Sequence, residues 1–159
     1  MSVRALEVAV VGIVLATLAA SGPAGLLDAP THRPTALGDG TADAEISSLP
    51  ADDLRIDRGR FGTGTWYLRV PEATVAVDAV EGTPQVLYRV QVPVLDADAE
   101  ARRLLGSGDG ATVGLAPGDV GLGPDAPDGP VRARVTVAVQ SFEVHRTVYD
   151  RNVTVEVAR

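Results

Sequence analysis

The 159-residue chain is long enough for one ordinary domain plus an appendage. Its 21 acidic residues outweigh 14 basic ones, all of them Arg, for a net charge of -7, which excludes the basic patch a nucleic-acid partner requires. With no cysteine, disulfides, thiol catalysis, Cys-ligated zinc, iron–sulfur clusters and a lipid-linked cysteine are excluded as well.

The N-terminal segment, residues 1–27, opens with a short stretch carrying Arg4. Val8–Ala20 then follows without a charge and with only Thr17 polar, and Ser21–Leu27 extends the uncharged run to Asp28. A membrane span needs about 20 apolar residues at about 1.5 Å each, so the length fits an uncleaved anchor over residues 5–27, with the lipid bilayer as its partner. A cleaved signal leaving at Ala19-Ala20-Ser21-Gly22 would instead give a secreted chain, and a buried core helix is the third reading. Arg4 ahead of the run, with net acid after it, places the N-terminus inside and the bulk of the chain outside. The order Arg4, Glu7, apolar run is similar to the N-termini of type IV pilin-like subunits, although Ser2-Val3-Arg4-Ala5 lacks the glycine expected at their processing site.

Residues 28–53 read as an acidic linker broken by Pro30, Pro34, Gly38, Gly40 and Pro50. From Leu54 to the end, residues 54–159, the dominant period is two. Trp66, Leu68 and Val70 share one face, then Val75, Val77 and Ala79, then Val86, Tyr88, Val90, Val92 and Val94. Such alternation is that of half-buried antiparallel strands, with Pro71 and Glu81–Pro84 as turns. Asp96–Gly106 reads as a helix: Asp96 caps it, early acids and later Arg102-Arg103 suit its dipole, and Gly106 stops it. Ala111–Leu115 reads as a short strand, and Ala116–Pro130 as a long irregular loop rich in Pro and Gly. Val131, Ala133, Val135, Val137 and Val139 begin the longest strand signal. Parity flips after Gln140-Ser141, so that Phe142, Val144 and Val148 become the apolar set, which signals a bulge or a crossing between sheets. Tyr149–Arg151 is expected to turn the chain into a last strand carrying Val153, Val155 and Val157. Six to eight such strands predict an all-β fold, a small antiparallel β-sandwich of immunoglobulin-like type behind one apolar transmembrane-type helix.

Few motifs carry chemistry. Asn152-Val153-Thr154 is an N-glycosylation sequon on the polar side of the last strand. Asp96-x-Asp98-x-Glu100 has the acid spacing of a calcium loop but lacks the central Gly and distal Glu. Asp119, Asp125 and Asp128 have no ligand spacing. His32 and His145 lack partner residues and read as surface groups. Gly62–Thr65 and Gly106–Gly108 lack the Lys of a phosphate loop, and no Gly-x-Ser-x-Gly elbow occurs. Trp66 fits the buried face better than a ligand site. Catalytic, metal-binding and cofactor-binding residues are therefore not assigned.

The absence of Lys, the excess of Asp, the single apolar segment followed by an acidic Pro/Ala-rich stretch, and the C-terminal run VRARVTVAVQSF…RTVYDRNVTVEVAR together resemble membrane-anchored extracytoplasmic proteins of halophilic archaea. Dense carboxylate keeps a surface hydrated where salt screens charge within about 3 Å at 1 M. The resemblance implies a non-enzymatic cell-surface protein, or an accessory of pilus or secretion machinery, acting by contact with another protein. A pilin-like structural subunit and an exported enzyme are the alternatives.

Overall fold

The computed structural model describes residues 38–59, 64–106, 111–125 and 127–158. The apolar segment over 5–27 and His32 lie outside them. Among the described residues, no helix is long and apolar enough to cross a membrane.

The described residues form ten strands: β1 (Gly40–Ser48), β2 (Arg55–Arg58), β3 (Trp66–Arg69), β4 (Ala73–Gly82), β5 (Gln85–Val92), β6 (Ala97–Leu104), β7 (Ala111–Leu115), β8 (Val120–Gly123), β9 (Val131–Gln140) and β10 (His145–Val157). Among the described residues, the helical pieces are single 3-10 turns at Ala51–Asp53 and Pro93–Leu95. The strands form two sheets, a three-stranded one in the order β1-β4-β7 and a seven-stranded one in the order β6-β5-β9-β10-β2-β3-β8. All neighbours are antiparallel except β10 and β2, which run parallel through Glu156↔Arg55 and Val157↔Ile56.

Alternation explains the layers. Val75 and Val77 of β4, Val86, Tyr88, Val90 and Val92 of β5, Val135, Val137 and Val139 of β9, Ile56 and Leu68 are all buried between the sheets. A side-chain period of two sends the intervening residues to the outer faces. The all-β sandwich read from the sequence is therefore present. Its core is built of small β-branched groups with one large aromatic, Tyr88, which is 0 % exposed.

Several expectations are corrected. Residues 96–106 are not a helix: Ala97–Leu104 is β6, paired along its whole length with β5. Its composition suits a helix, but Ala97 and Ala99 also alternate with Asp98 and Glu100, and the ladder to β5 decides between the two periods. The expected linker over 28–53 contains β1, whose Ala42, Ala44 and Ile46 alternate toward the core with low overall hydrophobicity. The expected loop over 116–130 contains β8, held against β3. Parity flips at 141–144 because the chain reverses there: Ser141 N donates to Val144 O at 2.7 Å, joining β9 to β10 as a hairpin. Residues 149–151 are no turn, since β10 runs unbroken with one register shift between Thr147 and Tyr149. Ala79, expected on the buried face, takes a left-handed φ of 49° and is exposed, so that Val80 packs against the core in its place. Val94 is 72 % exposed in the 3-10 turn.

One crossing needs glycine. Gly40 and Gly82 are register partners on β1 and β4, with φ of 100° and 71°. A Cβ on Gly40 would stand 1.9 Å from the Glu81 carbonyl oxygen. Only a residue without Cβ holds that backbone at that distance.

Candidate functional site

The outer face of β2 and β3 carries a network of charged groups beside an open depression. Ile56 and Leu68 pair across the two strands and point into the core, so their neighbours Arg55, Asp57, Tyr67 and Arg69 face outward. The register sets Arg55 opposite Arg69 and Asp57 opposite Tyr67. Two like charges directly opposite destabilise a sheet, and Asp57 resolves this by accepting from both. Arg69 Nε donates to Asp57 Oδ1 at 2.6 Å, and Arg55 Nε reaches Asp57 Oδ2 at 3.4 Å. From the turn before β8, Asp119 takes the other side of the Arg69 guanidinium, Nη1 to Oδ2 at 2.5 Å. The hydrogen bonds that Arg69 donates to Asp57 and then to Asp119 raise its pKa beyond its already high ordinary value. The guanidinium also lies over the Tyr67 ring, 5.0 Å from its centroid, where the π-face attracts a cation.

Arg69 is thus fixed on three sides, while Arg55 is held loosely. Its side chain is 54 % exposed, and its other contact is Nη1 to the Asp53 carbonyl at 3.5 Å. These residues, with Arg58, Gly59, Val70 and Pro71, line an open depression of about 760 Å³. Arg and Tyr are among the residue types that dominate binding energy where proteins meet, Tyr as a large ring with few rotamers and Arg as a planar fork of several donors. The depression balances three Arg against Asp53, Asp57 and Asp119, so it suits a partner presenting charges of both signs.

The remaining sequence candidates are dispersed. Asn152 and Thr154 are exposed on the outer face of β10, in register with Arg134 and Arg132. Arg134 turns away from Asn152 to make two bonds with Asp150, at 2.9 and 2.6 Å, which leaves the Asn152 amide open to solvent. Asp98 and Glu100 stand on the outer face of β6, and both are engaged by arginine: Arg89 binds Asp98, and Arg102 binds Glu100. The hydrogen bond from Arg89 lowers the Asp98 pKa. Asp119 is drawn to Arg69, apart from any calcium-like grouping. Exposed His145 shares a hydrogen bond with Gln140 at 3.2 Å. Trp66 packs against the core edge, as its parity predicts.

The Arg55–Asp57–Arg69–Tyr67 group was not read from the sequence. Its signal is present locally, because Arg-x-Asp and Tyr-x-Arg each fall on the polar parity of a short strand. Asp119, 50 residues from Arg69, has no local signal. Comparison with protein-family models, with curated proteins and with solved structures finds no match for this chain.

Proposed function

We propose that this protein is a membrane-anchored extracytoplasmic β domain that works by contact with another protein through the depression on β2 and β3. The observation that carries the reading is the prearranged Arg69, clamped by Asp57 and Asp119 over Tyr67 and set beside the loosely held Arg55. A side chain already ordered in the free protein loses little entropy on binding. The anchor is residues 5–27, with the N-terminus inside, and the acidic, Lys-free composition is that of a domain working in high salt.

Strand order supports an immunoglobulin-like reading of the sandwich. Taking β1, β4 and β7 as A, B and E leaves β6, β5, β9 and β10 as C′, C, F and G, the arrangement of that fold's two sheets. In this reading β2 continues the first strand alongside G, and β3 with β8 is an added wing that carries the depression. Tyr88, buried on the C strand, then occupies the place of that fold's core aromatic. Asn152, exposed on the G strand, is the residue that would carry a glycan in the exported chain.

The test is affinity capture from native membranes in high salt, comparing the tagged wild type with a Tyr67→Ala/Arg69→Leu variant whose circular dichroism is unchanged. A defined partner, recovered with the wild type and reduced at least tenfold with the variant, is expected. No partner with either protein, or equal recovery with both, overturns the reading.

A further inference from the structure

The hairpin between β9 and β10 ends in an anomaly. Phe142 is 82 % exposed at its tip, and Leu104 at the end of β6 is 53 % exposed. The tip is rigidly built. Ser141 Oγ accepts from Glu143 N and Val144 N at 3.2 and 3.0 Å, and Phe142 N donates to Gly38 O at 2.6 Å. An aromatic ring presented this way is held out to solvent by its own backbone. Gln85, Gln140 and His145 form a polar collar behind it, with Phe142, Leu104 and Gly38 in front, around a hollow of about 430 Å³. Gln85 and Gln140 are joined at 3.3 Å, and Gln140 and His145 at 3.2 Å. An apolar point with hydrogen-bonding groups behind it matches the step from acyl chain to headgroup at a bilayer surface.

Gly38, the residue that touches Phe142, is where the domain continues toward the apolar run. Residues 28–37 separate Leu27 from Gly38, and ten residues span at most about 33–36 Å. We infer that the Phe142–Leu104 tip seats in the interfacial layer of the bilayer that holds residues 5–27, so that the domain rests on the membrane by this end. The inference rests on the anchor reading above. One Phe and one Leu bind a membrane weakly when free in solution, but a short tether supplies a millimolar-range effective concentration. Glu143 follows Phe142 and adds no attraction to anionic headgroups, so the seating is apolar and insensitive to salt.

The full chain, reconstituted in phosphatidylcholine vesicles, tests this. Trp66 is the only tryptophan, so a Trp66→Phe background makes Phe142→Trp a single reporter. Val94 is the control: it is 72 % exposed beyond the far end of β5, about 25 Å along the strand from Gln85. With acyl-chain-brominated lipid, the reporter placed by Phe142→Trp should be quenched at least twofold and shifted to the blue, and the one placed by Val94→Trp should not. If the chain floats with the vesicles and neither reporter is quenched, or both are equally, the tip inference is overturned while the anchor reading stands. If the chain does not float with the vesicles, the anchor reading fails and takes the inference with it. Should Trp66→Phe cost the domain its circular dichroism, the same variants with Trp66 retained, read as differences from wild type, decide between these outcomes.

Discussion

Tyr88 offers a sharp test of how this core is held together. The residue is 0 % exposed, and its hydroxyl makes no hydrogen bond to any described residue. A buried polar group without a partner costs about 1–3 kcal/mol of stability. Tyr88→Phe removes that cost. What it loses is the packing of one oxygen atom, a void of roughly 10–15 Å³, which costs only about 0.3 kcal/mol at about 24 cal/mol per Å³. The variant should therefore be more stable than wild type by about 1 kcal/mol, a rise in Tm of about 3–6 °C for a domain of this size. Guanidinium unfolding should show a higher midpoint at unchanged slope. Alkaline titration gives an independent readout. Burial, and then the nearby Tyr149, push the Tyr88 pKa up to about 12. A tyrosine that ionises later in the folded state than in the unfolded one stabilises fully below the unfolded value near 10, and that stability drains away as pH rises from there toward 12. Tyr88→Phe should abolish the tyrosine ionisation near pH 12 and flatten the loss of stability over that interval. A variant less stable than wild type by more than about 1 kcal/mol would show that the hydroxyl is satisfied in the core, and the reasoning would fail.

Four further outcomes are expected. Arg146 straps the small sheet to the large one, with Nη1 on Asp43 at 3.0 Å and Nη2 on the Ala42 carbonyl at 2.6 Å; Arg146→Ala should cost about 1 kcal/mol and speed amide exchange in β1 while leaving β9 protected. Gly40→Ala forces a Cβ against Glu81 at a φ of 100°; it should lower stability by about 3 kcal/mol, and thermal unfolding equal to wild type would contradict the close crossing. The carboxyls of Asp98 and Asp150 are held below their ordinary 3.8 by hydrogen bonds from Arg89 and Arg134, so what they contribute is complete above that value and is lost as pH falls through the lowered one; Tm should be level from about pH 5 to 7 and drop below about 4, with a smaller drop in the Asp98→Asn/Asp150→Asn variant. Desalting to tens of millimolar should unfold the domain if its acidic surface is a high-salt adaptation, and an unchanged circular dichroism spectrum after desalting would refute that adaptation.

The strands that could be read from the sequence are those whose buried face is continuous. Val86 to Val92 and Ala133 to Val139 announce both their period and their inward side, and each is buried as expected. Strands at the margins were illegible for a physical reason. In β6 the outward residues Asp98, Glu100 and Arg102 and the inward Ala97 and Ala99 suit a helix as well as an edge strand, and only the ladder to β5, set by a distant segment, selects the strand. In β1 and β8 the inward groups are small or interrupted by glycine, so composition resembles a loop. The site lay beyond sequence reading for a related reason. Arg69 on its own is a surface arginine; what gives it meaning is Asp57 across a ladder and Asp119 from the far side of the chain.

The parallel pairing of β10 with β2 has a consequence for motion. That junction consists of two register pairs, Glu156↔Arg55 and Val157↔Ile56, with one further bond from Ala158 N to Ile56 O at 2.8 Å. By contrast, β9 and β10 are laddered from Gln140 to Val131. β2, β3 and β8 are therefore joined to the rest of the sheet by a narrow seam, with Ile56 and Leu68 buried in the core and Trp66, Val120 and Leu122 packed against it. A seam this narrow is expected to open at a lower free energy than the body of the sheet. Amide exchange in β2, β3 and β8 is therefore expected to run ahead of that in β5, β9 and β10, with Arg55, Asp57, Tyr67 and Arg69 carried on the faster-exchanging part of the sheet.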